Sequence, residues 1–238
     1  GDALNQYSER YVPDAHGNMT QMNQLPPVMD HLPTMDWDFK DQLAHVVKSG
    51  AGDVYFTYSA SGQRVRKVWV HSGITEERIY LGGFEIYRRH QSNSVVLERE
   101  TLHIMDDTRR IAMVETKTID TSIPGYTPTP RIRFQCSNHL GSAMLEVDEF
   151  GLVISYEEYH PYGTSAYHAV NGSVEVSAKR YRYTGKERDE ETGLYYHGAR
   201  YYACWLGRWT SADPAGMVDG VNLFQYVRGG PIAVLDAN

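Results

Sequence analysis

Residues 77–89 read ERIYLGGFEIYRR, two short runs rich in Ile, Tyr and Phe divided by a Gly-Gly pair. Tyr, Ile and Phe suit a pleated, half-buried surface, and paired glycines supply a turn. The stretch therefore reads as strand, turn, strand. Its surroundings repeat the plan: VYFTYSA (54–60), SVVLERETLHIM (94–105), RIAMVETKTI (110–119), RIRFQCS (131–137), SAMLEVD (142–148) and LVISYEEYHPYG (152–163). Many of these runs are separated by short turns, as in consecutive antiparallel hairpins. Sustained helical periodicity is absent, and the best helical candidate is the brief, polar GKERDEETG (185–193). The expected fold class is all-β, a series of antiparallel hairpins.

With 238 residues, the chain has room for one large β domain or two ordinary ones, and 41% hydrophobic content beside 22% charge marks it as globular. Tyrosine is over-represented, 18 against 6 phenylalanines. A net charge of −7 leaves no basic excess to displace counterions from phosphate, so a nucleic-acid partner is not expected. The pairs Arg88-Arg89 and Arg109-Arg110 stand alone and read as solvated faces. No run approaches the roughly 20 apolar residues that cross a bilayer. The chain begins mid-pattern without an initiator Met, so it reads as a piece of a longer protein whose export signal, if any, lies elsewhere. Cys136 and Cys204 are the two cysteines; two buried thiols or a disulfide both fit their spacing.

A punctuation mark recurs. Asp14–Gly17, Asp148–Gly151 and Asp213–Gly216 share D-x-x-G, and Ser59–Gly62 and Glu190–Gly193 vary its first residue. Asp or Ser accepts a backbone N–H across such a turn, while Gly takes the positive φ. Imperfect strand-turn-strand repeats suggest a stacked or spiralling sheet rather than a sandwich. TSIPGYTPTPRI (121–132) is the clearest break, and MTQMNQLPPVMDHLP (19–33) a second irregular connector.

LYYHGARYYACWLGRWTSADPAG (194–216) crowds four tyrosines, two tryptophans and two arginines together. On an unbroken strand Tyr195, Tyr201, Trp205 and Trp209 would share a face with Ala199, Ala203 and Gly207 between them, alternating large and small as tight packing requires. Gly207 interrupts that register. Glu187, Asp189, Glu190 and Glu191 read as an exposed polar turn rather than as catalytic carboxylates. No H-x-x-x-H motif occurs and Cys136-Ser-Asn-His139 has no second pair, so neither a metal nor a cofactor is expected.

YVPDAHGNMT, YFTYSASGQRVRKV, ERIYLGGFEIYRR, NHLGSAMLEVDEFGLVISYEEYHPYG and YRYTGKERDEETGLYYHGARYYACWLGRWTSADPAG resemble the YD-repeat/Rhs family. The last two resemble its Rhs-repeat-associated core. YLGGFEIYRR and ISYEEYHPYG look most like the C component of insecticidal toxin complexes and related SpvB/Rhs toxins. The resemblance implies a β-sheet strip wound into a hollow shell, with a C-terminal plug turning inward. It divides the chain into a repeat segment (1–132), the core (133–216) and a plug tail (217–238). The family's shells enclose a C-terminal toxin, which an intramolecular aspartyl protease cuts free. The implied partners are the downstream toxin domain and other shell components, and the implied localisation is secreted or cell-surface.

On this resemblance Asp213 of DPAG and Asp236 of LDAN match the two aspartates of the protease, and Arg200 of GARYY the arginine that supports them. A guanidinium can hold a carboxylate ionised and oriented. This chain departs from the pattern at three places: Ala237 replaces proline after Asp236, Gly229-Gly230 precedes Pro231 where two asparagines are common, and Ala203-Cys204 replaces an Asp-Pro. The cut would then fall downstream of Asn238. Two alternatives stay open at this stage. Asp213 can simply cap a turn, with Arg200 against the rings of Tyr201 or Tyr202. The chain can also be a non-catalytic adhesion module whose tyrosine-rich sheet binds a glycan or a protein partner.

Overall fold

Strands Ile74–Leu81 and Phe84–Gln91 pair antiparallel around Gly82-Gly83, with Ile79 opposite Ile86 and Leu81 opposite Phe84. Gly82 adopts φ +67°, where a Cβ would be strained. This hairpin is one step of a longer meander in the computed structural model, which describes residues 11–22, 34–48, 50–107, 109–172 and 175–236. The series opens with β1 (Val12–Pro13), β2 (Met19–Gln21), β3 (Thr34–Trp37) and β4 (Leu43–Lys48). It continues through β5 (Gly52–Tyr58), β6 (Arg64–His71), β7 (Ile74–Leu81) and β8 (Phe84–Gln91). The longest strands, β9 (Ser94–Asp106) and β10 (Arg109–Asp120), precede β11 (Pro130–Ser137), β12 (Ala143–Val147), β13 (Val153–Tyr159) and β14 (Ser165–Val170). Each strand pairs with its neighbours in sequence, giving one 14-stranded antiparallel sheet in the order β1 to β14.

The D-x-x-G segments turn as expected. The amides of Gly17, Gly151 and Gly216 donate to the carbonyls of Asp14, Asp148 and Asp213. The Asp148 carboxylate also accepts the amides of Phe150 and Leu152, closing the turn a second time. The Pro/Gly-rich 121–132 stretch, expected as a linker or long loop, is a loop from 121 to 129 that enters β11 at Pro130, and β10 and β11 pair across it from Thr116↔Pro130 onward. Of the 19–33 connector, Met19–Gln21 is strand β2, and residues 23–33 lie outside the described residues.

Beyond β14 the chain forms a second, four-stranded sheet of β15 (Glu187–Arg188), β16 (Tyr195–Tyr196), β17 (Tyr201–Ala203) and β18 (Arg208–Trp209). GKERDEETG is therefore not helical; a 3-10 turn at Tyr183–Gly185 leads into β15, and no α-helix occurs among the described residues. Nor is 194–216 one strand. Its turns fold it back twice, so register sets Tyr195 opposite Tyr202 and Tyr202 opposite Trp209 on one face, with Tyr196 opposite Tyr201 on the other. Alternation along a single strand would have grouped Tyr195 with Tyr201 instead.

Both faces of the small sheet are buried. Leu194, Tyr201 and Ala203 join Met35, Leu43, Val46, Val54 and Phe56 of β3–β5 in one apolar cluster. Tyr195, Tyr202, Cys204 and Trp209 join Tyr183 and Tyr226 in the other. A polar seam ties β15 and its flanking residues to β6 and β8 of the large sheet. β6 carries a bulge at Val65, since Thr57 faces Arg66 while Tyr58 faces Arg64. The extra residue resets the alternation, so Arg64 and Lys67, three apart, are both buried. Arg64 bonds Asp189 and Glu187 at 2.7 Å each, and Lys67 bonds Asp189 at 2.8 Å and Glu191 at 2.9 Å. Arg180 pairs with Glu187 and, at 2.5 Å, with Glu85. The acidic run expected at the surface is thus largely inside: Asp189 is fully buried and Glu187 nearly so. Two of its three cations, Arg64 and Lys67, come from a strand more than a hundred residues earlier, which local charge pattern cannot show.

Candidate functional site

β16 and β17 are joined by His197-Gly198-Ala199-Arg200. The His197 amide donates to the Arg200 carbonyl at 2.9 Å, and Gly198 takes φ +82° to close the turn. Two candidate side chains, His197 and Arg200, therefore leave one short loop, and both are buried. The Arg200 guanidinium lies over the Trp209 ring at 4.0 Å. Its Nη1 stands 2.8 Å from Asp213 Oδ2.

Asp213 follows β18 by four residues and uses its two oxygens differently. Oδ1 accepts the Ala215 amide at 2.9 Å, which is the turn-capping role, while Oδ2 faces Arg200. The turn reading and the arginine contact coexist. Neither alone explains the residue.

The tail brings Asp236 to the same wall. Trp209 N–H donates to Phe224 O at 3.0 Å and Asp213 N–H to Leu223 O at 3.1 Å, laying residues 223–226 along β18. Tyr226 is fully buried and stacks on Tyr202, ring centroids 4.0 Å apart. Farther on, Tyr183 Oη donates to Pro231 O and His139 Nε2 contacts Ile232 O. Leu235 and Asp236 then line a cavity of about 470 Å³ with Arg109, Arg110, His139 and Lys186. Asp236 Oδ2 lies 3.6 Å from His197 Nδ1.

Electrostatics separates the members of this group. Burial would raise the Asp236 carboxyl, but His197, then Arg200 and Lys186, hold it below the ordinary carboxylate range. Burial pushes the His197 imidazole down to about 4 against the opposing pull of Asp236, so it is neutral at physiological pH. Of the three residues expected at the site, Arg200 and Asp213 touch directly, and Asp236 enters through His197 with Arg200 acting on it at longer range. His197 and Lys186 were not anticipated. The signal for His197 is its place three residues before Arg200; Lys186 falls in the stretch expected as a brief, polar helical turn. Cys136 is exposed and Cys204 buried, both as free thiols, so they are neither a disulfide nor two buried thiols.

No protein-family model matches the chain. Toxin subunit YenC1 of Yersinia entomophaga is 38% identical over 225 residues, covering 91% of this chain and 22% of that protein. The structure of the Photorhabdus luminescens Tc holotoxin pore with a TccC3 variant aligns at a TM-score of 0.80 and 33% identity, over 94% of this chain and 10% of that one. A crystal structure of TcdB2–TccC3 without its hypervariable C-terminal region aligns at 0.77 and 27% identity, over 96% and 13%. The chain thus spans about a fifth of the length of the YenC1 subunit it matches.

Proposed function

This chain is a homologue of the C subunits of insecticidal toxin complexes, and we propose that it is a segment of a β-sheet shell that encloses a polypeptide encoded downstream and releases it by cutting its own chain past Asn238. The supporting observation is the Arg200–Asp213 ion pair with Asp236 on the same buried wall. A relative whose C-terminal region is hypervariable fits a fixed shell segment followed by a variable cargo.

Chemically, cleavage is amide hydrolysis. One carboxylate takes a proton from water as its oxygen adds to the scissile carbonyl. The other carboxyl donates to the carbonyl oxygen; the C–N bond then breaks and the departing amine takes up a proton. Arg200 keeps Asp213 aimed by a charge-assisted contact. The partly buried setting strengthens each of these interactions over what bulk water would allow.

The test is expression of the full-length protein with its natural downstream segment. Two fragments are expected from the wild-type protein, and one uncut polypeptide from Asp213→Asn and from Asp236→Asn. Persistent cutting in either variant rejects the assignment. A stop codon or a further repeat after Asn238 would favour the adhesion alternative.

A further inference from the structure

His197 carries two ring nitrogens into an aromatic core. Its side chain is fully buried. Tyr202, Trp209 and Tyr226 meet it edge-on, with ring centroids 5.0–5.9 Å away and interplanar angles of 76–88°. The ring therefore cannot swing without displacing the aromatic cluster. Among the described residues neither ring nitrogen has a hydrogen-bond partner. A buried polar atom left unmatched costs about 1–3 kcal/mol. Such a group is retained in a packed core when something at the same place uses it.

Nδ1 faces Asp236 Oδ2 at 3.6 Å, a few tenths of an ångström beyond hydrogen-bond reach. Catalytic hydrogen bonds are often this long before substrate is engaged and tighten when it is. We infer that His197 is a positioning residue for Asp236, its Nδ1–H orienting that carboxylate for the cleavage reaction, and the inference rests on the self-cleavage reading above. Asp213 is then aimed by Arg200 and Asp236 by His197, both from one turn between β16 and β17.

The charged and titratable groups acting on this pair are Lys186 beside β15 and Arg200 on the shared turn, and the Tyr226 phenol of the tail feels the Asp236 charge. Arg109, Arg110 and His139 lie on the wall of the cavity that Asp236 lines. A neutral imidazole donating from Nδ1 stabilises the ionised carboxylate without adding charge. His197 thereby favours the ionised form of Asp236, the form needed to take a proton from water.

Three variants of the full-length protein test the inference: His197→Phe, which keeps the ring and loses the donor; His197→Asn, which restores a donor near Nδ1; and Asp213→Asn, which stops cutting. Removing the donor raises the Asp236 pKa, and the base form is lost below that value, so the acid limb of the cleavage profile must move to higher pH. The expected displacement in His197→Phe is about one pH unit, with roughly a tenfold slower cut on that limb; His197→Asn recovers the wild-type limb. The carboxyl 13C shift of Asp236, titrated in the uncut Asp213→Asn background with and without His197→Phe, reads the same contact without any cleavage. A superposable pH profile, or an Asp236 titration indifferent to His197, overturns the inference. Cutting that survives both aspartate variants defeats the self-cleavage reading, while the titration still reports on the contact.

Discussion

Arg64 is fully buried, and its guanidinium is shared between Asp189 and Glu187. Burial works against the Glu187 charge, yet Arg180 and then Arg64 overcome it and hold that carboxyl at about 2. Removing one partner of such a group strands charges in a low dielectric. Arg64→Met is expected to lower unfolding free energy by about 3–5 kcal/mol in a denaturant titration. Arg66, two residues on and half-exposed beside Glu77, is the control; Arg66→Met should cost about 0–1 kcal/mol. Equal losses for the two would contradict the buried seam. The two thiols give a second residue-scale test. Cys136, exposed on β11, should react with a thiol reagent in the native state. Cys204, buried and with its thiol pushed up by burial, should react only on unfolding. Native labelling of both would place the small sheet wrongly.

Among the elements, the hairpins of the large sheet were legible because each rests on local chemistry: β-rich runs, Gly turns and D-x-x-G caps. What the sequence hid is where a bulge resets alternation, as at Val65, and how short strands fold back, as in 194–216. Both depend on cross-strand partners, which lie outside any local window. Turn glycines can be checked individually. Gly52 sits at φ +87°, and a Cβ there would fall 2.0 Å from the Val70 carbonyl oxygen on the paired strand β6. Gly52→Ala should therefore destabilise by about 1–3 kcal/mol, seen as a lower melting midpoint. Gly73→Ala, with left-handed φ but open space, isolates the backbone cost. A Gly52 effect no larger than that of Gly73 would remove the steric argument.

For the molecule as a whole, the large sheet supplies one wall and the small sheet closes on it through an apolar cluster and a charged seam. The buried ionisable groups set a pH dependence. His197 binds a proton in the unfolded chain below about 6.5 but not in the fold until about 4. Between those values the unfolded state holds more protons, so stability falls as pH drops, by up to about 1.4 kcal/mol per unit. Glu187, held at about 2, adds a loss in the same direction below its ordinary carboxylate range. Unfolding midpoints at pH 7 and pH 5 should show this decline, and His197→Phe should flatten it. A midpoint rising toward pH 5 contradicts the assignment of a buried neutral imidazole.

At this scale the candidate site was half legible. Asp213, Asp236 and Arg200 were placed by resemblance to a motif, whereas His197 emerged only when the tail returned to the β16–β17 turn. The central claim is that this returning tail completes a site that cuts the chain. Intact-mass measurement of the purified full-length protein, wild type against Asp213→Asn, tests it most directly. Two masses that sum to the whole plus one water, with the break past position 238, are expected from the wild type, and one unbroken mass from the variant. A single full-length mass from the wild type, or the same break in both proteins, would contradict the account.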